Sequence, residues 1–500
     1  MKTTKNLNRM KGLSLFILSL AITLISFSFL SKNQFPGIPF RFSEYIIKHL
    51  SFPKADLFTW VSDHVTYCCD EWLSFLLLHF VHRVSGVSGM FALFVIISMI
   101  LFFIIMRYNR NTLANHFVMF LILFIFAAIN FSRFFAFEGI IVCCVLFALE
   151  LMILYSNRSS DTRTIYLIPF LACLWANTYG HFSNVSYLLC VLFLIDAAIA
   201  KRTSESKSLI PLGSVTALSF IGICINPYGI KMLAYPYQYN LSSRVNQYLG
   251  SGAPDAKELY SLLFGFIPLV LVMMLFIIQR SKVEVIDFLL FGLTAFATFA
   301  HERNIIFFLI AAGFYIGKYA VDFSEISLFG KPLRIAFSLK DQWTMVCAVV
   351  ALIASVCVSF GTGHSTLKEK EFMKQPLSAS AIEAIQKENP KRPYTSPILG
   401  NALIAGDILV FTDYRSYIYQ DYNLSDAENI DFLFSGFHAP KSVESQIKVR
   451  SDLVEYYFDK YDFDGFIVYK NNSLYPYLNA LPDQYTKQYD DSMVAYFKRN

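Results

Sequence analysis

The stretch LSLFILSLAITLISFSFL, residues 13–30, decides the fold class. It carries no charge, and Lys2, Lys5, Arg9 and Lys11 precede it. A run of this length reads as a transmembrane helix, because about 20 apolar residues cross the hydrocarbon core of a bilayer. A secretory signal peptide begins in the same way, but no Ala-x-Ala cleavage site follows, so an uncleaved anchor is expected. Further apolar runs start near Met90, His116, Ile140, Ile165, Val185, Leu209, Leu262, Val285, Ile305 and Met345. About eleven spans near bilayer length are therefore expected.

The basic residues supply an independent signal. Alternate loops hold Arg107 and Arg110, then Arg158 and Arg163, then Lys201, Arg202 and Lys207, then Arg280 and Lys282, then Lys318, Lys331, Arg334 and Lys340. All fall on the side of the N-terminus, the cytoplasmic side by the positive-inside rule. An odd number of spans then places everything after Gly361 outside. The expected setting is a plasma membrane, crossed many times, with an extracytoplasmic C-terminal region.

Composition agrees. Of 500 residues, 55% are hydrophobic and 16% charged, against about 25% charged in soluble domains. Fifty Phe and 29 Tyr raise the aromatic share to 17%. A disordered chain, a collagen-like chain and a purely soluble enzyme are excluded. The net charge of +5 is spread over loops with no concentrated basic face, so nucleic acid is not an expected partner. Seven of the nine Cys lie inside apolar runs; Cys68 and Cys69 stand in a polar segment, where adjacent cysteines rarely bridge.

The expected architecture is an α-helical polytopic membrane domain over residues 1–362, with long outer loops at about 31–89 and 227–260. A small α/β or α+β soluble domain follows over residues 363–500. Within the tail, 378–388 and 452–460 read as helices, 465–469 as a strand, and 494–498 as a final edge strand.

Candidate chemistry collects on the outer side. Asp56, Asp70 and Glu71 follow the first span, and 71–84 (EWLSFLLLHFVHRV) reads as an amphipathic helix lying in the interface, anchored by Trp72. A carboxylate held there would take a proton from an acceptor hydroxyl; the alternative is an acidic, solvated loop surface. Asn177, Tyr179 and His181 end one span, Asn226 and Pro227 another, and His301, Glu302, Arg303 and Asn304 form a short turn. An Arg at that level would grip phosphate with its planar fork of donors, or simply snorkel to the headgroups. His79 and His82 share one helical face without an evident third ligand, so no metal site is assigned and a divalent ion has no support in the sequence. No phosphate-binding loop or dinucleotide fingerprint is present, and no cofactor is evident.

The order of these features resembles a group of bacterial polytopic membrane proteins with a C-type (GT-C-like) glycosyltransferase fold and a C-terminal extracytoplasmic domain. Gly37-Ile38-Pro39-Phe40-Arg41 occupies the place of the family's acid-rich Gly-Trp-His stretch. Asp70-Glu71-Trp72-Leu73 looks like its His-Glu-Trp-Leu signature. Trp175-Ala176-Asn177-Thr178-Tyr179-Gly180-His181 looks like its Trp-Ala-Asn-x-His-Gly-Gly motif, and Asn226 to Gly229 keep Asn-Pro-Tyr-Gly intact. Arg303-Asn304 matches a pair that begins a late span. Thr412-Asp413-Tyr414-Arg415 looks like the family's Asp-Gly-Arg turn, and Tyr461 to Asp464 its strand entry. The chain departs from the pattern at Asn33 and Phe35, where acids are usual, and at Pro39 and Tyr179, where His is usual. Either Asp70, Glu71 or Asp56 has taken over the acid's role, or the chain no longer transfers sugar.

The resemblance implies a membrane glycosyltransferase using a polyprenyl-phosphate sugar and an extracytoplasmic acceptor in envelope glycan assembly. Asp70, Glu71 or Asp56 would be the base. Arg303, with Arg244 or Lys231, would hold the leaving phosphate, near Asn177, His181, Asn226 and His301. The alternative is a non-catalytic partner of envelope-assembly proteins whose C-terminal domain binds glycan or protein. A transporter would need charges deep in the spans, and Glu150, Asp196 and Asp287 lie near span ends.

Overall fold

A computed structural model describes residues 13–14, 16–17, 19–21, 23–24, 37–61, 68–110, 112, 117–134, 139–159, 163–203, 209–234, 261–319, 327–328, 331–332, 349–350, 352–353, 377–413, 415, 426–427, 429–430, 455–472 and 474–500. The chain divides into two units. One comprises Met1–Ser31, Val84–Leu233 and Gly252–Leu367; the other comprises Lys32–Arg83, Ala234–Ser251 and Lys368–Asn500.

The first unit is a helical bundle. Its main helices include Phe117–Phe134, Ile140–Ser159, Ile168–Thr178, Asn184–Thr203, Ile210–Cys224, Ile267–Ile278, Val285–Ala300 and Ile305–Tyr319. Three of them open with an Ile-Pro pair, at Pro169, Pro211 and Pro268. Proline suits the first turn, where its missing N–H leaves no bond unmade. The Ile305–Tyr319 helix is apolar all round, and thirteen of its fifteen residues are buried. Such a helix belongs at the centre of a bundle, and it packs against the Phe117–Phe134, Ile140–Ser159, Ile267–Ile278 and Val285–Ala300 helices.

The outward faces of the bundle are also apolar. Ile96, Ile100, Phe103, Met274, Phe288 and Phe296 are exposed. Among the described residues, Trp72–Tyr108 and Ile140–Arg158 are long and apolar enough to cross a bilayer; Asn184–Ala200, Ile210–Cys224, Ile267–Ile278 and Val285–Ala300 are apolar but shorter. Of the about eleven spans expected, the first, at residues 13–30, and the last, near Met345, lie only partly within the described residues. The helix expected over 71–84 is present as a helix of its own: the Trp72–Tyr108 stretch is two helices, parted at Gly86 by a non-helical backbone (φ 61°, ψ −160°). Only glycine adopts that backbone conformation without strain, so the sequence itself places the break.

The second unit is built on a four-stranded sheet in the order Pro393–Thr395, Gly465–Tyr469, Val494–Arg499, Tyr485–Asp490. The first pair is parallel and the other two antiparallel. Val494–Arg499 was expected at the sheet edge and instead lies inside it. Val494 to Phe497 are buried, whereas Tyr485–Asp490, the true edge, alternates poorly and is largely exposed. Tyr394, Phe411, Phe458, Phe463, Phe466, Tyr477 and Phe497 form the core.

This sheet domain is not confined to the tail. The Gly37–His49 helix packs on the Pro397–Ala405 helix. Ile38 N–H donates to Asn401 Oδ1 at 3.3 Å, and a Cβ at Gly37 would run into the Asn401 carbonyl. Arg41 pairs with Asp407, which takes a positive φ just past the end of the Pro397–Ala405 helix. The segment read from sequence as the first outer loop of the membrane domain is therefore part of the same body as residues 377–500. Their mutual apolar surface, invisible in either segment alone, is the reason.

Candidate functional site

In the second unit, two short segments distant in sequence are tied by a buried ion cluster. Asp56 Oδ2 accepts from Thr59 N at 2.9 Å and Thr59 Oγ1 at 2.5 Å, fixing a turn. The chain then pairs as a strand with Val410: Val410 N donates to Phe58 O at 3.0 Å and Trp60 N to Val410 O at 3.2 Å. Three residues beyond Val410, Asp413 Oδ1 accepts from Arg415 N at 2.8 Å. The Arg415 fork grips Asp413 through Nε and Nη2, the latter at 2.6 Å from Oδ2. Its Nη1 reaches Asp56 Oδ1 at 2.6 Å. The Asp56 and Asp413 side chains are fully buried, and Arg415 lies over the Phe58 ring at 4.9 Å. Asp56 therefore has both carboxylate oxygens engaged within the protein.

Asp70 and Glu71 lead into the Trp72–Tyr108 helix. Asp70 is buried and Glu71 half-buried. Carboxylates at a helix N-terminus are favoured by the positive end of its dipole. That preference suits a structural acid and a base poised for proton transfer alike. Cys68 and Cys69, just before them, are buried. Phe52 packs edge-on against Trp72, with ring centroids 5.3 Å apart.

In the first unit, three of the sequence motifs meet. Asn177 Nδ2 donates to Cys173 O and to Ile225 O, each at 2.8 Å, joining the ends of two helices. Asn226 closes the next turn, its Oδ1 accepting from Tyr228 N at 2.8 Å and its Nδ2 donating to Ile223 O at 2.8 Å; Gly229 completes the turn at φ 59°. Phe307, in the first turn of the Ile305–Tyr319 helix, stacks with Trp175 and packs on Phe182. His301 to Asn304 lead into that helix, and Asn304 Nδ2 caps the preceding one through Ala297 O at 2.9 Å. His301 and Arg303 are half-buried, and Lys231 is exposed. Residues 180–182 form a short turn containing His181. Arg244 lies outside the described residues.

The opposite ends of these helices carry an ionic network. Arg158 Nε contacts Asp196 Oδ2 at 2.8 Å, and its Nη1 pairs with Glu284. Lys318 Nζ contacts Glu284 Oε2 at 2.5 Å and Asp287 Oδ2 at 2.6 Å. The hydroxyls of Tyr155 and Tyr319 both donate to Asp287. Acids near the ends of three separate runs were the available signal; their shared partners were not.

Among the described residues, no three His, Cys, Asp or Glu side chains converge where a metal ion would sit. The Asp56 carboxylate is already occupied by Arg415 and Thr59, which does not suit it as a metal ligand. No step is assigned to a metal.

No family model matches the chain, and no curated protein matches it. Among solved structures, the crystal structure of the oligosaccharyltransferase of Archaeoglobus fulgidus, tethered by a disulfide to an acceptor peptide containing the NVT sequon, matches with a TM-score of 0.51. The match covers 91% of this chain and 69% of that one, at 10% identity. The fold is GT-C-like. At this identity the likeness speaks for the fold alone.

Proposed function

We propose that this chain is an integral membrane glycosyltransferase-like protein that moves a sugar from a polyprenyl-phosphate donor to an extracytoplasmic acceptor in envelope glycan assembly. The fold match over 91% of the chain to an oligosaccharyltransferase carries this reading. The apolar side chains on the outward faces of the bundle support a lipid setting, because soluble surfaces rarely expose such contiguous patches. The loop charges support a cytoplasmic N-terminus and an outer second unit.

In this reading the acceptor oxygen attacks the anomeric carbon. The bond from that carbon to the phosphate oxygen breaks, and its electron pair leaves with the phosphate. Asp70 or Glu71 takes the acceptor proton. Arg303, with Arg244 or Lys231, holds the leaving phosphate and stabilises its charge, beside Asn177, His181, Asn226 and His301. General-base catalysis is worth typically 10²–10⁴-fold. Asp70→Asn and Glu71→Gln are tested for transfer from a labelled polyprenyl-phosphate sugar in vesicles. One of the two is expected to lose about that factor, and full transfer by both overturns the assignment of these acids.

A second reading has an observation of its own. Asn33, Phe35 and Pro39 stand where the family usually carries acids and His, and Asp56 is bound to Arg415. A chain with no remaining base would act as a non-catalytic partner of envelope-assembly proteins, presenting its second unit to glycan or protein. Retained assembly of the envelope glycan in the Asp70→Asn, Glu71→Gln double variant supports this reading.

A further inference from the structure

We propose that Arg415 is the positioning residue for the segment that carries Asp70 and Glu71, so that the C-terminal sheet domain acts on the candidate acids through a buried ionic latch. The proposal rests on the functional reading only where it names those two acids as what is positioned.

The path is short and consists of described residues. Arg415 Nη1 holds Asp56 at 2.6 Å. Asp56 is four residues from Phe52, whose ring sits against Trp72. Trp72 directly follows Glu71. Two further attachments fix the same limb: the Thr59–Val410 bridge, and the Trp60 ring, which packs on Phe411 and Phe463 while its Nε1 donates to Pro393 O at 3.2 Å.

The Gly37–His49 helix just upstream is held as well, by packing and by the partly exposed Arg41–Asp407 pair, so the ion cluster is the buried charge-dependent attachment among these. It holds two carboxylates against one guanidinium, all buried. Without the guanidinium, Asp56 and Asp413 become like charges in a poorly solvated place. A buried charge left without its partner is strongly destabilising, and the cheapest relief is separation. Asp413 is held by the domain that carries Val410 and Phe411; Asp56 belongs to the limb. With the Gly37–His49 helix still packed on the domain, the stretch 52–60 is the part that shifts, taking Phe52 from Trp72. Lys at 415 keeps the charge but loses the fork that grips both acids at once.

Cys68 and Cys69 are built-in reporters, being buried and adjacent to Asp70. The experiment uses the full-length protein in detergent. Maleimide labelling is resolved by peptide mass spectrometry, together with amide exchange over Gly465–Tyr469 and Val494–Arg499. Arg415→Gln is expected to raise labelling of Cys68 and Cys69 at least tenfold, and Arg415→Lys by less, with exchange in the two strands unchanged. Unchanged Cys68 and Cys69 labelling in Arg415→Gln overturns the proposal. Should that variant fail to fold, Thr59→Val decides, since it removes the hydroxyl bond to Asp56 and leaves Arg415 in place. A severalfold gain in labelling with protected strands supports the latch. No gain, or faster strand exchange in step with labelling, overturns it and assigns the cluster to the stability of the sheet domain. Labelling is read without activity, so failure of Asp70 and Glu71 as bases leaves this result standing.

Discussion

Trp60 and Pro393 meet across 333 residues of sequence, the indole Nε1 donating to the Pro393 carbonyl at 3.2 Å. The ring also packs on Phe411 and, edge-on, on Phe463. Trp60→Ala is expected to cost about 2–3 kcal/mol, below the range for a fully buried aromatic, because the ring is half-buried against the core. Trp60→Phe should cost less, because it keeps most of the contact and loses the hydrogen bond. Thermal unfolding in detergent measures both, and equal loss in the two variants would show that the hydrogen bond dominates. The same contact changes how a tail deletion is read. Removing residues 363–500 also uncovers Trp60 and the Gly37–His49 helix, so loss of function would not separate a binding role of the tail from damage to the first segment.

Gly317 lies under Asn109, whose Nδ2 donates to Gly313 O at 2.8 Å and Ile105 O at 2.9 Å. A Cβ at Gly317 would collide with the Asn109 carboxamide. Gly317→Ala is expected to destabilise by about 1–3 kcal/mol, as overpacking commonly does. In Gly317→Ala with Asn109→Ala the collision is gone, so the pair should cost less than the sum of the singles. Additive losses would place the strain elsewhere.

Lys318 reaches both Glu284 and the fully buried Asp287. Lys318→Met leaves these acids with fewer counter-charges and is expected to cost about 3–5 kcal/mol. Replacing Lys318 and Asp287 together by apolar residues should cost less than Lys318→Met alone. Melting temperatures of the two variants check the ranking, and the reverse order would mean that the acids find other cations.

Partial burial pushes the Asp491 carboxyl up, but the Val494 and Met493 N–H groups and the Tyr489 and Ser378 hydroxyls outweigh it and hold the group below its usual value. A carboxylate depressed in the folded state stabilises above its unfolded pKa, about 3.9, and loses that contribution as pH falls through the folded value. Asp491→Asn is therefore expected to destabilise at neutral pH and to flatten the acid limb of the stability curve between about pH 5 and lower values. A parallel downward shift at every pH would contradict the linkage.

Apolar runs announced the helices, and turn chemistry announced their limits: Pro169, Pro211 and Pro268 open helices, and Gly229 closes a turn. The strand Gly465–Tyr469 was legible as a short apolar run. The meeting of Asn177 with the 225–229 turn was suggested by motif order, although its geometry was not. Arg415 was read only as part of a turn and Asp56 only as a candidate base. Each becomes half of a pair through a partner 359 residues away, and local periodicity carries no information over that distance. The position of Val494–Arg499 inside the sheet was equally hidden, because its neighbour Tyr485–Asp490 is polar and half-solvated and gives little strand signal.

The assembly of one unit from both halves of the chain has a consequence for biogenesis. Asp56 leaves the ribosome 359 residues before Arg415, a delay on the order of 20–70 s at common synthesis rates. During that time Phe58 and Trp60 lack the cover of Val410, Phe411 and Phe463. The Tyr485–Asp490 and Val494–Arg499 strands, made later still, complete the sheet whose core Trp60 packs against. A chain lacking residues 393–499 would keep its aromatic segment open to chaperones and proteases, so docking of the two segments reports that the sheet has formed.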